Sequence, residues 1–402
     1  MPPDSADRPP ARPDFEAALA EDLGRIEEAG LWRELREIES AQDPSVVLRG
    51  REVLLFCSNN YLGLANHPEV VEASREATAR YGASAASSRL ISGHMRAHRE
   101  FEEQIANWKG SEASLSFSTG YQANIGAINS LVGPGDVVFS DELNHASIID
   151  ATRLSRAKVA VFAHNDMNQL EELLRENEGA RRALIVTEAV FSMDGDLAPL
   201  GDVVALAKKF GAWTMVDEAH SAGVFGKHGA GLADELGLSD AIDIHVGTLG
   251  KALGSFGAYV AGSRALVDLL INRARPFIFT TGLPPSAVAA AGAAIRICER
   301  EPQRAAGLRR RVRKLGETLR AAGLEVPEAQ SQILPVQIGA ADRTVAAMRE
   351  LLERGIYVAA IRPPTVPEGT SRLRLSVMAT HEEAQLERAA EALIEAVKVN
   401  AV

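Results

Sequence analysis

From about residue 56 to residue 279 one pattern repeats along the chain: an apolar run of four to six residues, then a longer stretch with a helical period. The runs fall at 113–117, 137–140, 159–162, 183–187, 213–216 and 242–246. Uninterrupted apolar runs of this length read as strands buried on both faces, so helices must cover each side. Strands alternating with helices predict an α/β domain with a large, mostly parallel sheet and helices on both faces. Gly133, Gly135, Gly195, Gly254 and Gly257 fall between elements, where turns are needed.

The flanks read differently. Residues 15–38 carry an amphipathic helical pattern with mixed charge, an arm rather than a core element, and short strand signals follow at 45–48 and 53–56. Beyond Leu283-Pro284-Pro285 the chain turns Ala-rich and helical through residue 295. A charged helix over 303–322, strand signals at 333–338, 357–361 and 372–379, and a helix over 382–397 predict a smaller α+β domain. The expected division is a disordered, Pro-rich leader (1–14), a helical arm with short strands (15–55), a large α/β domain (56–290) and a C-terminal α+β domain (291–402).

Composition narrows the function. A formal net charge of −11 argues against nucleic acid as a partner. The basic cluster from Arg309 to Lys314 sits in a helical pattern and reads as a solvated face. No apolar run is long enough to span a membrane. Two cysteines, Cys57 and Cys298, make neither a disulfide framework nor a zinc site, which fits a reducing cytoplasm. No metal is expected.

In open α/β sheets ligands gather beyond the carboxyl ends of strands, so polar residues just after the apolar runs carry the candidate chemistry. Gly120 and Tyr121 stand at a strand-to-helix turn, where free amides and the helix dipole suit a phosphate. His145 and Ser192 follow the runs at 137–140 and 183–187. Asp217 and His220 follow the run at 213–216, and Thr248 and Lys251 the run at 242–246. Taken singly, most have a bland reading: His145 as a water-facing helix start, Ser192 as a turn residue before Asp194-Gly195, Thr248 as a cap. Together they are the set that pyridoxal 5′-phosphate (PLP) requires. A lysine amine forms the Schiff base, and a carboxylate keeps the pyridine nitrogen protonated so that the ring accepts electrons.

The segments SNNYLGL (58–64), VDEAHSAGVFG and GTLGKALGSFGAYVAG resemble the α-oxoamine synthase family of fold-type I PLP-dependent transferases, over roughly residues 15–397. TEAVFSMDGD, FTTGLPPS and IRPPTVPEGTSRLRLSVMATH (361–381) are similar to the members of that family that join L-alanine to a pimeloyl thioester. The resemblance implies a homodimer. It implies Lys251 as the Schiff-base lysine, Asp217 on the pyridine nitrogen, His220 on the ring hydroxyl, His145 stacked on the ring and Ser192 at its edge. Gly120, Tyr121 and Thr248 would hold the phosphate, with Thr280 or Thr281 supplied by the other subunit. Arg374 would grip the amino-acid carboxylate, helped by Asn59, with Arg362 near the reacting centre. One position departs from the pattern: the family often has Asp where this chain has Asn60. The alternatives are a family member taking glycine or serine, an aminotransferase, and a non-catalytic scaffold, against which the Asp217–Lys251 pair counts.

Overall fold

In the computed structural model residues 14–399 are described; most of the Pro-rich leader lies outside them. Asp14, expected in that leader, instead caps the first helix, Phe15–Glu28, by accepting from Ala17 N. The helix stops well short of the expected residue 38. Gly30 takes the left-handed conformation and Leu31 N–H bonds Ile26 O at 2.9 Å, the closure that ends helices at glycine. None of its residues is buried.

Two short strands, β1 (Ser45–Leu48) and β2 (Arg51–Leu55), form a hairpin. The large sheet then uses seven strands: β3 (Ala113–Phe117), β4 (Val137–Asp141), β5 (Lys158–Phe162), β6 (Ala183–Glu188), β7 (Trp213–Asp217), β8 (Ile244–Thr248) and β9 (Ala258–Gly262). Their order is β3-β9-β8-β7-β6-β4-β5. Pairing is parallel except at β9, which runs antiparallel to both neighbours. The apolar pattern does not separate β9 from the glycine-rich turn before it, because AYVAG carries mostly small side chains.

Alternate residues of these strands bury on opposite faces. Val138, Leu184, Val186, Met215 and Val246 join one core; Phe139, Phe162 and Ile185 join another across the sheet, and Val216 and Tyr259 a third. Both faces are covered except at the edge strand β5, where Val159 and Val161 stay exposed against the expectation for its apolar run, and each buried large aliphatic side chain contributes about 1.5–3 kcal/mol.

A second sheet is antiparallel, with β13 (Ser371–Ser376) between β10 (Ile333–Gly339) and β12 (Ala359–Ile361). The single strand expected at 357–361 is split. Its first part, β11 (Ile356–Tyr357), pairs in parallel with β2, which joins the N-terminal hairpin to the C-terminal segment. The boundary expected at 290 falls inside one continuous helix, Pro285–Arg300, started by a proline in its first turn and packed on helix Pro68–Tyr81. One hydrophobic cluster runs from Val216 and Tyr259 through this helix to Leu334 and Leu373. That shared core fixes β13 against the carboxyl edge of the large sheet.

The turn just after Lys251 is closely packed. Gly254 has φ of 59°, and a Cβ there would stand 2.4 Å from Ala65 N; at Gly250 the nearest atom would be 3.6 Å away. Gly254→Ala is therefore expected to lower stability by about 1–3 kcal/mol, while Gly250→Ala stays within about 0.5 kcal/mol of wild type. Thermal unfolding of the two variants checks this, and equal melting points would contradict it.

Candidate active site

Asp217 ends β7 and is almost fully buried. Its Oδ2 accepts from Asn124 Nδ2 and its Oδ1 from Ala219 N, both at 2.9 Å. The same Asn124 amide donates to Ser147 Oγ at 2.8 Å, and Ser147 Oγ lies 2.8 Å from His145 Nδ1. His145 caps helix Ala146–Ser155 through that nitrogen, which accepts from Ser147 N. The water-facing helix start holds, since His145 caps its helix and stays exposed, and hydrogen bonds through Ser147 and Asn124 also tie it to Asp217.

Lys251 follows β8. Its Nζ is 2.8 Å from His220 Nε2, and His220 Nδ1 is 2.7 Å from the Tyr61 hydroxyl. Tyr61 donates to Asn59 Oδ1 at 3.0 Å and receives Arg374 Nη2 at 3.4 Å. Arg374 reaches this point from β13 and also donates to the Ser192 carbonyl and to Ser376 Oγ. Burial and the nearby Lys251 and Arg374 charges hold His220 well below the usual histidine range, so it is neutral. Burial also pulls the Lys251 ammonium down to about 8, against the opposing pull of Asp217 and Glu188.

At the third corner, helix Gly120–Leu131 points its N-terminus outward. Thr119 caps it by accepting from Gln122 N, and a Cβ on Gly120 would meet nothing within 4 Å. A helix of this length with open amides suits an anion. Thr248 Oγ1 donates to Gly257 O and accepts from Gly250 N.

Four expected residues stand apart. Arg362 donates to the carbonyls of Gly30 and Trp32 in the N-terminal arm and shares no hydrogen bond with the Lys251 group. Tyr121 faces outward and donates to Asp150. Thr281 pairs with Ser88, and Thr280 sits beside it in the same turn. Asn60 explains its own departure: Nδ2 donates to Gln42 O at 2.8 Å, which an aspartate cannot do, while Oδ1 accepts from Leu64 N and Ala65 N.

With the geometry in place, similarity to known proteins separates the readings. The aminotransferase class I and II family matches residues 51–393. The 8-amino-7-oxononanoate synthase of Geobacter sulfurreducens is 52% identical over 94% of this chain and 97% of its own. The chain belongs to that family. A serine palmitoyltransferase from S. paucimobilis, solved with a PLP–myriocin aldimine, superposes with a TM-score of 0.91 at 33% identity over 96% of this chain and 99% of that one. The 8-amino-7-oxononanoate synthase of Francisella tularensis superposes with a TM-score of 0.76 at 29% identity, covering 87% and 99%. The fold is that of fold-type I PLP enzymes, and PLP is the cofactor. The donor set fits it: a buried carboxylate, an amine within reach, and an open helix N-terminus at Gly120.

Sequence reading passed over several residues of this site. Tyr61 and Asn124 lie inside SNNYLGL and FSTGYQAN, four residues past Gly120 in the second case, where helical spacing returns a side chain to the same face. Glu188 is the last residue of β6 and stands in register beside Asp217. Burial and the Asp217 charge push its carboxyl above the usual range, so it is protonated at neutral pH. Gln332, which donates to the His220 carbonyl at 2.7 Å, carries no local signal.

The loop holding Ser192 is clamped from four sides. Arg372 pairs with Asp194, Arg374 holds the Ser192 carbonyl, and Ser331 Oγ donates to Gly195 O. His164 lies between Asp141 at 3.0 Å and Asp196 at 2.7 Å. Burial alone would lower its pKa, yet the two carboxylates raise it to about 10. A raised folded-state pKa means stability that is full below the unfolded value near 6.5 and lost as pH rises through about 10. In His164→Gln the deficit in melting temperature should be widest just below about pH 6.5, narrow as pH rises, and close above about pH 10. A deficit that does not change with pH would contradict the clamp.

Proposed function

We propose that this chain condenses L-alanine with a pimeloyl thioester, carried on coenzyme A or acyl carrier protein. The products are 8-amino-7-oxononanoate, CO2 and the free thiol, in cytoplasmic biotin biosynthesis. The observation that carries this reading is the meeting of Arg374 with the His220–Lys251 pair across Tyr61, on a chain 52% identical to a named synthase of this product. An α-amino acid needs a grip on its carboxylate and a covalent partner for its nitrogen, and these residues stand at the two ends of one site. The serine palmitoyltransferase similarity, at 33% identity, supports the fold and the cofactor rather than a palmitoyl substrate.

When bound, PLP supplies an imine carbon for the amino acid and a protonated ring that stores the electron pair left at Cα. Asp217 holds the ring nitrogen's proton, kept in place by Asn124 and Ala219 N. Gly120 and Tyr121 would hold the phosphate through their backbone amides at the helix N-terminus, and Thr248 from the neighbouring turn, while the Tyr121 side chain stays on Asp150. Arg374 and Asn59 would hold the amino-acid carboxylate beside Tyr61 and so fix where its Cα–H bond lies. The Lys251 amine, lowered to about 8, takes that proton near neutral pH. His145 keeps Nδ1 on Ser147, which leaves Nε2 to polarise the thioester oxygen. Ser192 lines the ring edge on its clamped loop.

The working unit is a homodimer. Leu90, Ile91, Phe256 and Phe279 are large apolar side chains at least half exposed around the Ser88–Thr281 bridge, as an unpaired subunit face would be. Thr280 and Thr281 then complete the phosphate site of the facing subunit.

Steady-state assays of alanine, glycine and serine against pimeloyl, acetyl, succinyl and palmitoyl thioesters test the substrate pair. Alanine should beat glycine by roughly 10- to 200-fold, since one methyl in a pocket is worth about 1–3 kcal/mol. Arg374→Ala should mainly raise the KM for the amino acid, because the ion pair it removes exists in ground and transition states alike. Glycine with acetyl-CoA as the best pair would overturn the reading.

A further inference from the structure

Tyr61 is fully buried, in a segment of the chain remote from both Lys251 and Arg374. Its hydroxyl lies 2.7 Å from His220 Nδ1, 3.0 Å from Asn59 Oδ1 and 3.4 Å from Arg374 Nη2. His220 in turn touches Lys251 Nζ at 2.8 Å through its other nitrogen. A continuous hydrogen-bonded chain therefore runs from the Asn59–Arg374 pair, through one phenol and one imidazole, to the lysine. The imidazole is held at both ring nitrogens, and Gln332 donates to the His220 backbone carbonyl.

A phenol has one proton to give and lone pairs to receive with. It faces an amide oxygen, a guanidinium and an imidazole nitrogen. Its proton goes to Asn59 Oδ1 or to His220 Nδ1, and the group it leaves must be served from elsewhere. Whatever changes the hydrogen bonding of Asn59 and Arg374 is thus felt at His220 Nδ1 as a change in bond polarity. In a dry site such a chain transmits more strongly than the same groups would in water.

We propose that Tyr61 is a positioning residue that couples occupation of the amino-acid carboxylate site to His220, and through it to the ring hydroxyl of the cofactor. The proposal rests on the placement of the carboxylate at Asn59 and Arg374 given above. An incoming carboxylate draws Arg374 Nη2 from the phenol oxygen and recruits the Asn59 amide. With its own proton kept on Asn59 Oδ1, the phenol oxygen, released by the guanidinium, accepts more strongly from His220 Nδ1–H, and the other nitrogen of that ring faces the reacting end. The site senses at Lys251 that a carboxylate has docked, before any bond to the amino acid is made. No covalent bond changes, and protons are exchanged with solvent only near the pH midpoint of the cofactor band.

Propanoate, which has the carboxylate and lacks the amine, isolates this coupling. In PLP-loaded wild-type enzyme, propanoate should shift the pH midpoint of the visible cofactor band. Equivalently, its Kd should differ by roughly fivefold on the two sides of that midpoint, the low end of measured coupling between sites. In Tyr61→Phe, propanoate should still bind through Arg374, and the shift should fall by more than half. An undiminished shift in that variant would overturn the proposal, since the coupling would then run through space alone. A second readout needs neither cofactor nor variant: in wild-type apoprotein labelled with 15N-histidine, saturating propanoate should move the Nδ1 resonance of His220. A stationary resonance with propanoate bound would overturn the proposal, whether or not the Phe variant folds. Failure of propanoate to bind wild-type enzyme at all would instead overturn the carboxylate placement, and the coupling with it.

Discussion

A carboxylate withdrawn from water must be given donors and a cation, or it will not stay ionised. Asp217 receives an amide N–H from Asn124, a backbone N–H from Ala219, and the nearby Lys251. Satisfying it decides much of what surrounds it. Asn124 lies one turn into the helix that offers its N-terminus at Gly120, so the donor that serves Asp217 also sets where an anion is held. Through Ser147 the same amide fixes His145. A single buried charge thus fixes three elements of the site relative to one another.

Consecutive residues in a strand point to opposite faces, and the next residue shows what the far side requires. Glu218 is fully buried behind the sheet, where Lys109, His245, the Ser221 hydroxyl and the Ala233 N–H surround it. Burial would raise its pKa, yet the Lys109 charge and the His245 hydrogen bond bring it down to about 2. Losing one partner of such a pair typically costs about 3–5 kcal/mol, since the other charge is left stranded. The acid that serves chemistry and the acid that serves the fold are adjacent in sequence and differ only in which face they meet.

Much of this was legible in the chain. Apolar runs named six of the seven large-sheet strands, because burial on both faces leaves an unbroken signature. The exception, β9, is built from Ala, Tyr, Val and Gly beside a glycine-rich turn and carries no such run. Strand-end polar residues picked out Asp217, His220 and Lys251, which the structure brings together. Asn124, Tyr61 and Gln332 were not legible by that rule, because they enter from a helix, a loop and a distant strand start, and only tertiary packing aims them at the site. Arg362 illustrates the reverse: its segment resembles the family, yet its guanidinium is engaged by the arm carbonyls of Gly30 and Trp32.

The central claim is that Asp217 keeps the cofactor's ring nitrogen protonated. Reconstitution with PLP labelled with 15N at the ring nitrogen reads this directly. In wild-type enzyme the resonance should sit at the protonated position across the neutral range, and in Asp217→Asn, with the fold and bound cofactor retained, it should move to the unprotonated position. A ring nitrogen unprotonated in wild type, or equally protonated in the Asn variant, would contradict the account.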